Sequence, residues 1–169
     1  MSDAEQSGNQ GENTAQLHID FVCTGNICRS PMAEVIVRQK LEDVDLGDAV
    51  RVTSSGIGDW HVGHAADKRA LVELAEHGYD GSEHRAQQFG AEQQNADLII
   101  ALDTNHVSEL VARGVPEEKV RLLRSFDPDA DGEGVADPYY GGPEGFTTTR
   151  EQIEAAADGI IAWVGERLN

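Results

Sequence analysis

The stretch Leu17-His18-Ile19-Asp20-Phe21-Val22-Cys23-Thr24-Gly25-Asn26-Ile27-Cys28-Arg29-Ser30-Pro31-Met32 decides the architecture. Leu17, Ile19 and Phe21 alternate with less apolar neighbours until Val22 closes the run, which is the period of a strand. Residues 23–30 then form a turn-rich segment, and Pro31 opens a stretch to Leu41 in which Met32, Val35, Ile36 and Leu41 recur near helical spacing. Proline in a first helical turn sits where its missing N–H costs nothing. The opening unit therefore reads strand, loop, helix.

The same alternation continues along the chain. An extended segment at 50–54 leads into a glycine-rich loop, 56–63, that holds Trp60 and His61. Apolar residues at three- and four-residue spacing predict a helix over 65–77, with Gly78 placed as its C-terminal stop. A short helical piece is expected at 90–95, and the compact apolar run 96–102 reads as a strand buried on both faces. Asp103 or Thr104 can cap the next helix, which ends near Gly114. A weaker strand at 120–123, a long acidic loop at 125–142 and a final helix at 143–168 complete the order. Strands alternating with helices imply an α/β fold: one domain, a four-stranded parallel sheet with helices on both faces, and the loop 23–30 after the first strand.

Composition narrows the function classes. The 169 residues fit one domain, and the formal net charge is −18. A general nucleic-acid binder or a binder of anionic membranes needs a cationic face, so neither partner is expected. The acidity is uneven: residues 23–41 carry a local charge of +2, while residues 127–144 carry −6 with no Lys or Arg. A cationic segment set in an acidic chain suits one small anion held locally better than a polyanion attracted from afar. Only two cysteines, Cys23 and Cys28, are present, too few for a secreted disulfide scaffold or a structural zinc site. Residues 1–16, rich in Ser, Gly, Asn and Glu, lack a signal-peptide pattern and read as a flexible acidic tail, ahead of a domain at 17–169. The expected setting is reducing and cytoplasmic.

Ligands of open parallel sheets bind outside the carboxyl ends of the strands, where the loop 23–30 lies. Its pattern is Cys-x5-Arg-Ser. Five residues can curl so that successive N–H groups face inward as an anion nest, and the following helix adds the positive end of its dipole. Arg29 supplies a planar fork for two oxygens of a tetrahedral anion. Cys23 starts the cradle, where the same positive field favours its thiolate form. Taken singly, Cys23 could be a small buried hydrophobe and Gly25-Asn26 an ordinary turn. Cys23 and Cys28 also admit a redox pairing, although four residues separate them rather than the two of the thioredoxin-type motif. No G-x-x-x-x-G-K-[ST] stretch supports nucleotide binding.

The segment from Val22 to Glu34 resembles the signature loop of the low molecular weight protein tyrosine phosphatases, and Asp137-Pro138-Tyr139-Tyr140 resembles their late general-acid motif. The two motifs occur in the family's order, and the likeness spans about residues 17–168. Thr53-Ser54-Ser55-Gly56 followed by Trp60-His61 stands where the family has its second strand and aromatic pocket wall. The likeness is greatest to the actinobacterial type, whose secreted effectors suggest nonclassical export only by analogy. The resemblance implies a protein tyrosine phosphatase acting through a phosphocysteine intermediate. Cys23 would be the nucleophile, Arg29 the phosphate-binding cation and Asp137 the general acid and base. Thr24, Gly25, Asn26, Ile27, Cys28 and Ser30 would contribute to the cradle, and Trp60, His61, Tyr139 and Tyr140 would wall the substrate site. Ser30 would bond the Cys23 sulfur, with Asn26 holding the loop's turn and Ser54 supporting Asn26, while His84 reads as an ordinary polar residue. No cofactor and no metal is required. The expected partner is a phosphotyrosine-containing protein or peptide, with inorganic phosphate as product, and the oligomeric state is not legible.

Three rivals share parts of this pattern. A thioredoxin-coupled arsenate reductase needs further cysteines, and none follows Cys28. A small-thiol-coupled arsenate reductase has no such need, but Asp137 with its tyrosines would be idle in it. A protein-arginine phosphatase, in this family, carries Thr where this chain has Ile27. From a different class, a non-catalytic phosphotyrosine-binding module would need neither nucleophile nor acid.

Overall fold

A computed structural model describes residues 15–168. Strands β1 (Leu17–Cys23), β2 (Val50–Gly56), β3 (Leu98–Ala101) and β4 (Val120–Leu122) form one parallel sheet in the order β2-β1-β3-β4. The helices are α1 (Arg29–Asp43), α2 (Lys68–Glu76), the single-turn α3 (Ala91–Gln94), α4 (Thr104–Ala112) and α5 (Pro143–Leu168). The alternation in β1 sends Ile19, Phe21 and Cys23 into the core shared with Met32, Ile36, Phe146, Ile153 and Ile160 of α1 and α5. Val22 faces the other way and joins Ile99, Ala101, Leu110 and Val115 beside α4. Burial on both faces explains why 96–102 reads as a continuous apolar run. The expected α/β sandwich, helices on both faces included, is the one observed.

Several boundaries differ from the expected ones. α1 begins at Arg29, before Pro31, because the chain leaving the loop winds directly into the helix: the N–H of Met32 already donates to the Cys28 carbonyl at 3.2 Å. α2 starts at Lys68 rather than near residue 65, since Asp67 accepts the N–H of Arg69 at 2.8 Å and fixes the helix start there. Gly78, with φ of +87°, stops that helix as expected. β3 is confined to four residues and β4 to three, after which residues 123–126 tighten into a 3₁₀ turn. Of the expected tail, residues 1–14 lie outside the described residues, and Gln16 donates its N–H to the Ala49 carbonyl at 2.9 Å. Among the described residues, no helix is long and apolar enough to cross a membrane.

One buried charge in the sheet has a measurable cost. Asp20 in β1 is fully buried, accepting hydrogen bonds from the hydroxyls of Thr53 at 2.6 Å and Ser55 at 2.7 Å. Burial pushes its carboxyl up to about 7, with the two hydroxyls offsetting part of the rise. The unfolded chain releases this proton at about pH 4, so the fold loses stability as pH climbs from about 4 to about 7 and no further above that. Asp20→Asn is therefore expected to raise Tm by on the order of 5 °C at pH 8 and to change it much less at pH 5. Thermal melts at the two pH values check this, and equal shifts would contradict the assignment.

Candidate active site

β1 lies inside the sheet, so the loop 24–28 emerges at the carboxyl edge with the loops after β2, β3 and β4 around it. Among the described residues, none of the N–H groups of residues 24–29 donates to another residue, whereas the N–H of Ser30 points at Cys23 Sγ from 3.4 Å. Buried N–H groups are almost always paired, so a ring of free ones is a site built for an anion. Cys23, 3% exposed, lies at the base of this ring, with Ser30 Oγ at 3.0 Å from its sulfur.

The loop holds its shape through Asn26, a fully buried residue with φ of +60°. That backbone region costs a side chain about 1–2 kcal/mol, least for Asn. Asn26 Nδ2 donates to Ser30 Oγ at 2.8 Å and to Ser54 Oγ at 2.9 Å, and its Oδ1 accepts the N–H of Gln87 at 2.9 Å. Its carbonyl accepts from His84 Nε2 at 2.8 Å. His84 is thus no ordinary polar residue: its ring is 6% exposed and clamps the left-handed turn, while its Nδ1 lies 3.8 Å from Glu34 Oε1. Glu34 in turn accepts from Ser54 Oγ at 2.5 Å and pairs with Arg38. Burial pushes the Glu34 carboxyl up, but His84, Arg38 and Ser54 together outweigh it, and the net direction is down. A carboxylate thus anchors the chain Glu34, Ser54, Asn26, Ser30 behind the cysteine. Gly56, closing β2, lies flush against this loop: a Cβ there would meet Gly25 C and Thr24 O at 3.0 Å.

Arg29 is 4% exposed and is aimed by the acidic loop, donating to the Val135 carbonyl at 2.8 Å. Asp137 Oδ2 lies 3.6 Å from one of its nitrogens and Asp103 Oδ2 lies 3.9 Å from the other. Asp137 also caps the 3₁₀ turn of residues 138–140 by accepting the N–H of Tyr139 at 3.1 Å. Tyr139 and Tyr140 meet edge to face at 5.0 Å, and the Arg69 guanidinium lies over Tyr139. Trp60 is 67% exposed, so it belongs to a cleft rim and not to the core.

These parts enclose a cleft of about 450 Å³. Of the residues expected in the site, Cys23, Thr24, Gly25, Ile27, Cys28, Arg29, Trp60, His61, Asp137, Tyr139 and Tyr140 line it. Asn26, Ser30 and Ser54 stand buried behind it. Glu34, His84, Gln87 and His106 also support the site, and the sequence alone does not mark them, because Ser54, Asn26 and Thr24, which they meet there, lie 20 to 82 positions away. Both cysteines are free thiols, and burial pushes the Cys28 thiol strongly up, so that it stays protonated. Among the described residues, no cluster of His, Cys, Asp and Glu could hold a metal ion.

Residues 18–169 match the family model described as low molecular weight phosphotyrosine protein phosphatase. The chain belongs to that family. A low molecular weight protein-tyrosine phosphatase A from Mycobacterium tuberculosis is 53% identical over 154 residues, covering 90% of this chain and 94% of the relative. A low molecular weight protein-tyrosine-phosphatase from Streptomyces coelicolor is 49% identical over 158 residues, covering 88% of this chain and 93% of the relative. Among solved structures, a protein tyrosine phosphatase from Entamoeba histolytica superposes with a TM-score of 0.85 at 29% identity, covering 90% of this chain and 99% of that one. The low molecular weight phosphatase assignment accounts for a cysteine under a ring of free amides, which a redox pair with Cys28 would not require.

Proposed function

We propose that the chain hydrolyses phosphotyrosine in proteins and releases inorganic phosphate. The observation that supports this best is the placement of Cys23 Sγ beneath the free amides, with Arg29 and the Asp137 carboxyl opening into the same cleft. The thiolate of Cys23 attacks phosphorus in line, and the S–P bond forms as the bond to the phenolic oxygen breaks. Asp137 delivers a proton to that departing oxygen. Amides 24–29 and Arg29 hold the three equatorial oxygens, where charge is distributed in the transition state. Asp137, now a carboxylate, takes a proton from a water that attacks phosphorus, and the S–P bond breaks to give phosphate and the thiolate. Ser30, whose Oγ already accepts from Asn26, turns its hydrogen towards the sulfur and steadies the charge on it each time it leaves.

Specificity follows from depth and walls. Cys23 is buried at the cleft base, so a phosphate must be carried there on a long side chain, and Trp60, His61, Tyr139 and Tyr140 offer faces and edges to an aromatic ring. Ile27 gives an apolar wall where a phosphoguanidinium would want a hydroxyl. Two free thiols, one of them the nucleophile, suit a reducing cytoplasmic setting, with a domain at 17–169. A panel of phosphotyrosine, phosphoserine and phosphoarginine peptides, run beside arsenate reduction with a small thiol, tests the reading. Phosphotyrosine is expected to be turned over at least about a hundredfold faster than the other two peptides. Preferential turnover of phosphoarginine, thiol consumption dependent on arsenate, or binding without turnover would each replace the proposal by the corresponding rival.

A further inference from the structure

His106 stands in the first turn of α4, is 1% exposed, and has no part in the chemistry described so far. Its Nδ1 accepts the backbone N–H of Asp103 at 3.1 Å, closing a capping box with the Asp103 side chain. A neutral imidazole carries one N–H, so with Nδ1 accepting, that hydrogen is on Nε2. Nε2 lies 2.9 Å from Thr24 Oγ1 and must donate to it. The same oxygen receives a second donor, Arg29, at 3.4 Å. Two donors occupy both lone pairs of the hydroxyl, and neither donor can accept its hydrogen. Among the described residues Thr24 Oγ1 has no other partner, and Thr24 lines the cleft beside Cys23 and Arg29.

We propose that His106 is a positioning residue that commits the hydroxyl hydrogen of Thr24 to an oxygen of the anion in the cradle. The proposal deepens the phosphatase reading and rests on it. Without the histidine, the Thr24 hydroxyl is free to turn away from the ligand. With it, the hydroxyl is a donor whose orientation is set before the anion arrives, which avoids the cost of ordering it on binding. The neutral state of the ring is itself enforced. Burial, followed by the positive charge of Arg29, brings His106 down to about 4, and an added proton on Nδ1 would face the Asp103 N–H.

Binding of inorganic phosphate, read from the fluorescence of Trp60 in the cleft wall, tests this without any turnover. His106→Asn places Oδ1 where Nδ1 accepts from Asp103, so the cap survives while the donor to Thr24 is lost. His106→Gln keeps an amide donor at the reach of Nε2. His106→Asn is expected to weaken phosphate roughly five- to tenfold, with His106→Gln recovering most of that loss. Thr24→Val should weaken it at least as much, and His106→Asn added to Thr24→Val should weaken it no further. Parental affinity in His106→Asn, an undiminished effect of that change in the Thr24→Val background, or no phosphate binding by the parent chain would overturn the proposal. Should His106→Asn fail to fold, Thr24→Val decides alone: parental affinity there removes the hydroxyl from the site. Absence of phosphotyrosine turnover in the parent would sink the activity while leaving these affinities to be judged separately.

Discussion

Cys23→Ser is expected to lower turnover of an aryl phosphate by at least about 10⁴-fold, equivalent to roughly 5.5 kcal/mol of barrier, while phosphate binding stays measurable. The two halves of that expectation come from different atoms. Turnover needs an anionic sulfur, which the Ser30 hydroxyl at 3.0 Å and the Ser30 N–H at 3.4 Å stabilise by donating to it. A serine hydroxyl in the same place stays protonated at neutral pH and needs a general base. The groups described around Sγ are donors, and the Asp137 carboxyl lies beside Arg29. Binding depends instead on the amides of residues 24–29 and on Arg29, which the substitution leaves in place. Steady-state kinetics on an aryl phosphate together with a phosphate titration of the variant check both halves. Retained turnover would remove Cys23 from the nucleophile's role.

Asp137→Ala is expected to act selectively. With an unactivated phenol such as the tyrosine side chain, whose reference pKa is about 10, the departing oxygen needs its proton in the transition state, and a loss of roughly 10²- to 10³-fold is expected. With a strongly acidic phenol the oxygen leaves as the anion, and the loss should shrink to roughly tenfold or less. The same change removes a carboxylate 3.6 Å from Arg29. Affinity for the phosphate dianion should therefore hold or improve, so the defect is expected in kcat and not in KM. A series of aryl phosphates ordered by leaving-group acidity measures the effect. Equal losses across the series would mean that Asp137 acts on Arg29 or on loop position and not as a proton donor.

The two residues differ in how far the sequence alone exposes them. Cys23 and Arg29 are legible because strand, turn and helix start follow one another directly between Leu17 and Arg29, and the spacing Cys-x5-Arg-Ser contains the geometry. Asp137 sits in a loop with Asp127, Asp129, Asp131 and Glu133, and only its likeness to a family motif separates it from them. In the fold the separation is physical: Arg29 grips the Val135 carbonyl, and Val135 donates its N–H to the Leu102 carbonyl at 2.8 Å. Those two bonds draw one part of the acidic loop over the cradle. His84 and His106 were not legible as site residues, since their partners Asn26 and Thr24 are 58 and 82 positions away.

The start of α2 differs from the one its apolar spacing implies for a related reason. The apolar spacing of 65–77 marks which face is buried, but the first turn is set by whether a side chain can satisfy the free N–H groups, and Asp67 does so two residues later than the pattern suggests. Periodicity reports packing, whereas boundaries report capping.

The sequence by itself determined the alternation of strand and helix, the apolar faces, and the Cys-x5-Arg-Ser spacing of the cradle, because each is written in the order and periodicity of residues close together in the chain. The tertiary structure alone decided what surrounds that cradle. The order β2-β1-β3-β4 sets β1 between two neighbours, so that Trp60 after β2, Asp103 and His106 after β3, and Asp137 after β4 converge on one edge. That convergence is produced by strand pairing and by burial on both faces of the sheet, interactions between segments whose separation along the chain carries no record of their distance in space.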